Sequence, residues 1–336
     1  MRGGRAAPAL LMLAASLAGS WTALAQAPVK PVAPAAPAAP TFTLPPPVAP
    51  PLTRPDDPSS PVGDAAFAAF QRGYFVTALR ESMKRLDANS NDAPAMTLIA
   101  ELYRVGLGVR RDFAEAARWY KLASDRDDPN ASFALGRAYL TGEGVTRDEK
   151  AARALFEKAA ARNHAGALYN LGVMELDSPV ANFQRAADFF RRASEVGDSD
   201  ATYALAMLYR EGTGVPQDRQ KAAQLLKAAA DERNIAAEVE FGVALFNGDG
   251  IVKDEAAAAK YFLRAAAREN PIAQNRLARM LSAGRGVQRN LVEAMKWHIL
   301  ARASGLGDEY LDGVLATLPS QQRIAVEEAV RKFVGN

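Results

Sequence analysis

The chain has 336 residues, with 41 basic and 38 acidic side chains, two histidines and no cysteine. The lack of cysteine excludes disulfides, thiolate metal sites and a cysteine nucleophile. The formal net charge is only +3, and no cluster of Lys and Arg is interleaved with aromatic residues. The pI near 9.0 therefore does not indicate a nucleic-acid-binding surface, and we expect no nucleic-acid partner.

Residues 1–25 have the pattern of a signal peptide. Arg2 and Arg5 precede the apolar run ALLMLAASLAG, and Ala23–Ala25 supplies a small-x-small cleavage site before Gln26. Loss of the two arginines leaves 39 basic and 38 acidic residues. We predict a periplasmic or secreted protein with no transmembrane segment after signal cleavage. The alternative is an uncleaved membrane anchor.

Residues 26–62 contain 13 of the 20 prolines. Such a composition cannot bury a core and favours extended polyproline II structure. We interpret the segment as a disordered Pro/Ala-rich linker, and the alternative is a proline-rich ligand for another domain. The next segment, 63–92, predicts a pair of helices with a short turn at Gly73.

Residues 93–307 contain six copies of one unit, with a period of 36 residues and one step of 34. Each copy opens with a small residue and has an apolar residue four positions later. The opening residues are Ala95, Ala131, Ala167, Ala201, Ala237 and Ala273. The apolar residues are Ile99, Leu135, Leu171, Leu205, Phe241 and Leu277. A second helix is marked by Trp119, Leu155, Phe189, Leu225, Tyr261 and Trp297.

Five copies share a loop with two glycines and a closing Asp or Asn, as in LTGEGVTRD at 140–148. A glycine-rich turn before a helix can bind phosphate, but such a loop normally occurs once and follows a strand. We instead predict that the first glycine ends a helix in the left-handed conformation. The second glycine would admit a neighbouring helix closely. The Asp or Asn would cap the next helix, and Asp112 with Glu115 has capping-box spacing.

The third copy departs from this pattern, because its loop, ELDSPVAN, lacks two residues and both glycines. Two interpretations remain open. The short loop either has a structural effect, by changing the local superhelical turn or exposing a docking edge, or it reflects neutral drift.

The repeated pattern A-x-x-x-L-G-x-x-Y-x-x-G-x-G-V-x-x-D resembles the Sel1-like repeat, a relative of the tetratricopeptide repeat. Its second copy is the fullest match, with Ala131, Leu135, Gly136, Tyr139 and Asp148 among its matching positions. The resemblance implies an all-α fold, a right-handed α-solenoid of Sel1-like/TPR-like helix pairs. Residues 63–92 then resemble a degenerate TPR-like N-terminal pair. Residues 308–336 form C-terminal capping helices, the last of them led by Pro319.

No catalytic constellation is evident, and we expect a non-enzymatic protein without cofactor or metal. His298 takes the register position of Tyr120, which predicts packing against a helix face. His164 falls in a turn between repeats. The two histidines have no metal-binding spacing, and no G-x-S-x-G stretch occurs.

In tetratricopeptide solenoids the first helix of each pair lines a concave groove. By this resemblance, residues beside the core face of the first helices would form a groove for a peptide or helix of a protein partner. The alternative is that some of them are buried between neighbouring helices. The predicted groove residues are Phe133, Arg137, Leu140, Tyr169, Val173, Tyr203, Met207, Arg210, Val243 and Phe246.

Three functional classes follow. The first is a monomeric envelope scaffold or regulator, since exported Sel1-like proteins of this size resemble periplasmic proteins that restrain a sensor kinase controlling exopolysaccharide synthesis. The second is an assembly factor for envelope polysaccharide or peptidoglycan machinery. The third is a hydrolase, for which the sequence offers no catalytic set. The partner itself cannot be identified from a scaffold fold.

Overall fold

The computed structural model describes residues 64–178 and 180–335, which form helices and no strand within those ranges. The predicted signal peptide and Pro/Ala-rich segment lie outside the described residues. The chain divides into two compact units. Unit 1 ends at Asn182 and unit 2 begins at Phe183, so the third repeat gives its first helix to one unit and its second helix to the other.

Unit 1 contains seven described helices, and each packs against the next along the chain. They are α1 (Ala65–Gln71), α2 (Phe75–Ala88), α3 (Ala93–Val105), α4 (Phe113–Ser124), α5 (Pro129–Thr141), α6 (Glu149–Ala160) and α7 (Ala165–Leu176).

Unit 2 contains nine described helices, in which neighbours pack in the same way up to α14, and α14 then packs against α16. They are α8 (Phe183–Glu195), α9 (Ser199–Glu211), α10 (Arg219–Asp231), α11 (Ile235–Asn247), α12 (Glu255–Ala266), α13 (Pro271–Ala283), α14 (Leu291–Ala303), α15 (Glu309–Ala316) and α16 (Ser320–Val334). The predicted all-α fold of stacked helix pairs is confirmed in both units.

The first helix of a repeat begins at a polar cap and ends at a left-handed glycine. In the second repeat, the Asp128 side chain accepts a hydrogen bond from the Ala131 N–H at 3.0 Å. Gly142 ends α5 with a φ of 79°. A side chain at such a φ is strained, so glycine is the favoured residue. The predicted glycine cap is confirmed, and the other four glycine-containing loops end their first helices in the same way.

The second loop glycine is required by a contact with the preceding repeat. A Cβ on Gly144 would lie 2.1 Å from the carbonyl oxygen of Phe113, the first residue of α4. On Gly250 it would lie 1.9 Å from the carbonyl oxygen of Arg219, the first residue of α10. These distances are far below van der Waals contact, so the predicted close approach of a neighbouring helix is confirmed.

The loop closes with a hydrogen bond that the sequence did not predict. Asp112 caps α4 by accepting from the Glu115 N–H at 2.9 Å, as expected. The reciprocal half of the predicted capping box is wrong, because the Asp112 N–H donates to the Tyr103 carbonyl at 3.0 Å. The Glu115 carboxylate instead pairs with Arg118 at 3.1 Å. The cap residue therefore ties the end of the loop back to the first helix.

The short third loop keeps this closing bond. The Asn182 N–H donates to the Glu175 carbonyl at 2.9 Å, and Glu175 is the register equivalent of Tyr139 in the second repeat. Asp177, which follows the last residue of α7, has a φ of −82°, so no left-handed residue ends this helix. Loss of two residues and both glycines thus leaves the point of closure unchanged.

The core of each repeat is built from small residues facing one large side chain. In the second repeat Ala131, Leu135 and Phe156 are buried, and Gly136 leaves room for the Phe156 ring. A Cβ on Gly136 would lie only 2.8 Å from that ring. The buried aromatic residue follows the position that marked the second helix in the sequence. His298, at the same position as Phe156, is fully buried, which confirms its predicted packing role.

None of the helices in the described part of the chain is both long and apolar enough to span a membrane.

Candidate partner-binding surface

The predicted groove residues lie on four first helices, two in each unit. We call Phe133, Arg137, Leu140, Tyr169 and Val173, on α5 and α7, the unit 1 strip. We call Tyr203, Met207, Arg210, Val243 and Phe246, on α9 and α11, the unit 2 strip. All five residues of the unit 1 strip are half-buried. In the unit 2 strip Met207 and Phe246 are buried, at 5% and 4% exposure, and the other three are half-buried.

An aromatic stack occupies the start of the unit 1 strip. The Phe133 ring stacks on the His164 ring with centroids 4.5 Å apart, and the Arg137 guanidinium lies 5.9 Å from the Phe133 centroid. A Cβ on Gly166 would lie 2.9 Å from the Phe133 ring, so the ring covers the start of α7. Leu140, Tyr169 and Val173 continue the strip as partly exposed side chains without formal charge.

His164 serves as the cap of α7. Its Nδ1 accepts a hydrogen bond from the Ala167 N–H at 3.2 Å, which requires an unprotonated Nδ1. Burial lowers the pKa of His164, although its own backbone and the nearby Asp128 act in the opposite direction. The turn position thus has a structural explanation in helix capping.

A buried polar cluster lies next to the unit 1 strip. The Glu101 carboxylate accepts from the Tyr120 hydroxyl at 2.6 Å and from Arg104 Nε at 2.9 Å. Burial opposes ionisation of Glu101, but the bonds from Arg104 and Tyr120 outweigh it and lower its pKa. Arg137 adds a further attraction to the same carboxylate. The Glu101 carboxylate is therefore held ionised beside the strip, where it attracts Arg137.

Ion pairs lie within and beside the unit 2 strip. Arg210 Nη1 on α9 donates to the Glu240 carboxylate on α11 at 2.8 Å. Arg279 on α13 makes a two-pronged bond to the Asp308 carboxylate, at 2.6 and 3.0 Å. Phe246 is buried beneath the Arg285 guanidinium, which lies 4.3 Å from its centroid. This surface is consequently more polar than the unit 1 strip.

Most charged residues of this surface, among them Glu240, Arg276 and Asp308, were not predicted. Glu240 and Arg276 occupy one register position of successive repeats, where earlier repeats carry Leu98, Ala134, Asn170 and Ala204. The change from apolar or neutral residues to charged ones at this register position was the sequence signal that could have identified Glu240 and Arg276. Asp308 lies beyond the last repeat, so the repeat pattern could not identify it.

Among the described residues, no group of three or more His, Asp or Glu side chains could hold a metal ion. His298 Nε2 lies 2.9 Å from the Asp312 carboxylate, and the ring is fully buried. The histidines therefore have structural surroundings.

Comparison with known proteins identifies the repeat. A Sel1 repeat model matches residues 93–128, 129–164, 165–198, 199–234, 236–270 and 271–306. A Sel1 repeat protein from Oxalobacter formigenes is similar in structure, with a TM-score of 0.65 and 31% identity. That match covers 71% of this chain and 98% of the other.

A protective antigen of uropathogenic Escherichia coli strains, described as having an SLR fold, has a TM-score of 0.52 and 25% identity. That match covers 81% of this chain and 68% of the antigen chain. No curated protein matches the chain. The six matched repeats span most of the sequence, and the chain therefore belongs to the Sel1 repeat family.

Proposed function

We propose that this protein is a non-enzymatic scaffold or regulator of the bacterial cell envelope, which binds a segment of a protein partner along its first helices. A repeat scaffold of the Sel1 type suggests protein–protein interaction as the general role. The finer proposal depends on the unit 1 strip, where Leu140, Tyr169 and Val173 are only half-buried. Apolar side chains that remain partly exposed in successive repeats are suited to an apolar segment of a partner.

The test compares two variants of unit 1 in which serine replaces apolar or aromatic side chains. One is a double variant of the strip, and the other is a single variant elsewhere on the surface. Tyr169→Ser with Val173→Ser removes apolar area from the strip. Leu122→Ser removes a side chain that is 42% exposed on the second helix α4. Each tagged variant is used for affinity capture from a bacterial envelope fraction, and captured proteins are identified by mass spectrometry.

We expect the strip variant to lose a partner that the wild-type protein and Leu122→Ser both retain. Circular dichroism and thermal unfolding must show that both variants remain folded. Equal capture by all three folded proteins contradicts binding at this surface. The captured protein decides the pathway: a sensor kinase supports the regulatory role, whereas a polysaccharide or peptidoglycan enzyme supports assembly.

The envelope location is tested separately. Full-length protein is expressed in bacteria and its mature mass is measured in the periplasmic fraction and medium. We expect a mature chain that begins at Gln26. A chain that keeps residues 1–25 and sediments with the membrane supports an uncleaved anchor instead.

A further inference from the structure

Arg137 is the only residue of the unit 1 strip with a formal charge. On α5 it follows Phe133 by four positions and precedes Leu140 by three, so the three side chains lie on one face of the helix. The residues at the register positions of Phe133 and Arg137 in the next repeat are Tyr169 and Val173 on α7. The arginine is therefore bordered by aromatic and aliphatic side chains within the strip.

The other charged side chains on the first helices of unit 1 already have partners. Helices α3, α5 and α7 carry Glu101, Arg104, Arg137 and Glu175. Arg104 Nε donates to the Glu101 carboxylate at 2.9 Å. Arg153 Nη1 on α6 donates to the Glu175 carboxylate at 2.8 Å. Each carboxylate thus has an arginine of its own, and Arg137 is the cation in excess on these helices.

The guanidinium of Arg137 is available to a ligand. It forms no hydrogen bond or ion pair with another described residue, and its nitrogens are not among the buried polar atoms that lack a partner. The nitrogens of this half-buried residue are consequently in contact with solvent. The Glu101 carboxylate attracts Arg137 without forming a bond to it. A carboxylate from a ligand would give the guanidinium an acceptor, and such charge-assisted hydrogen bonds are among the stronger ones.

The arrangement of the strip favours one acidic side chain inside an apolar segment. With a rise of about 1.5 Å per residue, Phe133 lies roughly 6 Å before Arg137 along α5, and Leu140 lies roughly 4.5 Å after it. Apolar side chains thus border the cation on both sides, which suits a carboxylate that is itself flanked by apolar residues. A nucleic acid or an acidic polysaccharide would instead place charge beside Leu140 and Val173, where the strip offers no cation.

We propose that the unit 1 strip binds a partner segment in which one Asp or Glu side chain lies between apolar residues. The carboxylate pairs with Arg137, and the apolar side chains of the segment contact Leu140, Tyr169 and Val173. This inference rests on the proposed scaffold function and names the chemistry of the segment that the scaffold binds.

The experiment selects peptides from a random phage-displayed library on the immobilised full chain. We expect the enriched peptides to contain Asp or Glu with apolar residues on both sides. The tightest of them is then synthesised with a fluorescent label, and its affinity is measured by anisotropy. Absence of enrichment over an uncoated surface, or enriched peptides without an acidic residue, would overturn the proposal.

A double-mutant cycle tests the pairing with Arg137. Arg137→Gln should weaken binding of the synthesised peptide at least about tenfold, the scale for loss of a hydrogen bond between charged groups. A matched peptide with Asn or Gln in place of the acidic residue should lose a similar factor on the wild-type protein. On Arg137→Gln the matched peptide should lose no further factor. Independent losses, in which the two factors multiply, contradict the pairing.

Arg118→Gln is the matched control. Arg118 lies on the second helix α4 of the same unit, its side chain is 78% exposed, and it pairs with Glu115. This variant should bind the peptide as the wild-type protein does, and circular dichroism must show that both variants are folded. An equal loss in Arg118→Gln and Arg137→Gln indicates a general charge effect and overturns the assignment.

A measurement on the wild-type protein covers the case in which Arg137→Gln fails to fold. Nitrogen NMR of the arginine side chains should show that the peptide shifts the Arg137 signal and leaves the Arg118 signal unchanged. Absence of that shift at saturating peptide overturns the inference.

Capture from the envelope fraction separates this inference from the proposed function. We expect folded Arg137→Gln to lose the same partner as the Tyr169 and Val173 variant. A partner that is lost by the Tyr169 and Val173 variant but kept by Arg137→Gln would preserve the scaffold function and reject only the acidic contact.

Discussion

The glycine-containing loops of five repeats and the turns between repeats both contain residues with positive φ, but only the loops require glycine. The turn position is occupied by Asp127, Asn163, Arg233 and Glu269, with φ between 56° and 67°, and by Gly197 and Gly305 in the other two repeats. A Cβ on Gly197 or Gly305 would meet nothing within 4 Å. A left-handed residue with a side chain costs roughly 1–2 kcal/mol, which the turn tolerates.

The second loop glycine faces a different constraint, because the backbone of the preceding repeat occupies the space of its Cβ. The comparison shows that a repeated glycine can reflect contact between repeats as well as backbone conformation. Three predictions concern the loop and the turn, in order of decreasing expected effect.

The largest effect is expected for Gly250→Ala. The new Cβ would lie 1.9 Å from the Arg219 carbonyl oxygen, so the strain of a left-handed alanine adds to overpacking against the neighbouring helix. We expect a loss of roughly 2–4 kcal/mol in the free energy of unfolding. Urea denaturation, with hydrogen exchange to locate the change, provides the measurement.

Gly197→Ala in the same unit is the control, because it places a side chain on a residue with positive φ but creates no clash. Its expected loss is about 1 kcal/mol. Equal losses for the two variants would show that φ alone explains both glycines.

An intermediate effect is expected from the titration of His164, which caps a helix where the equivalent turns use Asn234 and Asn270. The folded protein holds His164 with a lowered pKa, so it binds fewer protons than the unfolded chain as the pH falls below about 6.5. The free energy of unfolding should therefore be highest, with respect to this group, above that pH and should decrease as the pH falls below it. Protonation of Nδ1 removes the cap, and loss of a cap costs roughly 0.5–2 kcal/mol.

His164→Asn removes this titration and keeps the cap, since the Asn234 side chain accepts from the Ala237 N–H at 2.9 Å. Unfolding is measured for both proteins at about pH 7.5 and about pH 5.5. The wild-type protein should lose more stability than the variant between these two values. Parallel losses would mean that other groups cause the pH dependence.

The smallest effect is expected for Glu269→Gly. The sign of the change in the free energy of unfolding is what distinguishes it from the control. Relief of the left-handed side chain outweighs the added freedom of glycine in the unfolded chain, so we expect a gain of about 0.5–1 kcal/mol. Ala267, in the same turn, has an ordinary φ of −66°. Ala267→Gly should instead lose about 0.5–1 kcal/mol, and thermal unfolding of the two variants compares the signs.

The fold was largely predictable because each repeat contains its own signals for where helices begin and end. The left-handed glycines, the Asp and Asn caps and the apolar register are local signals, and six copies reinforce one another. The capping box at Asp112 was predicted incorrectly because the closing bond to Tyr103 depends on how the loop folds back. The sequence contains no local sign of that choice.

The surface was less predictable, because register identifies a helix face without giving the spacing of neighbouring helices. Leu140 and Met207 were both predicted as groove residues from their register, yet Leu140 is half-buried and Met207 is buried. The partners of Arg210 were also hidden, since Glu240 lies on the next first helix and its pairing depends on packing between repeats. Whether these surfaces bind a partner stays a prediction.

The bond between the cap residue and the first helix has a consequence for how such chains change over time. The third repeat makes its closing bond to the Glu175 carbonyl with two loop residues fewer, so the bond does not depend on the full length of the loop. We therefore expect changes of loop length to be tolerated there as long as the closing bond is kept. These loops are therefore suitable sites for grafting a new recognition segment onto the scaffold.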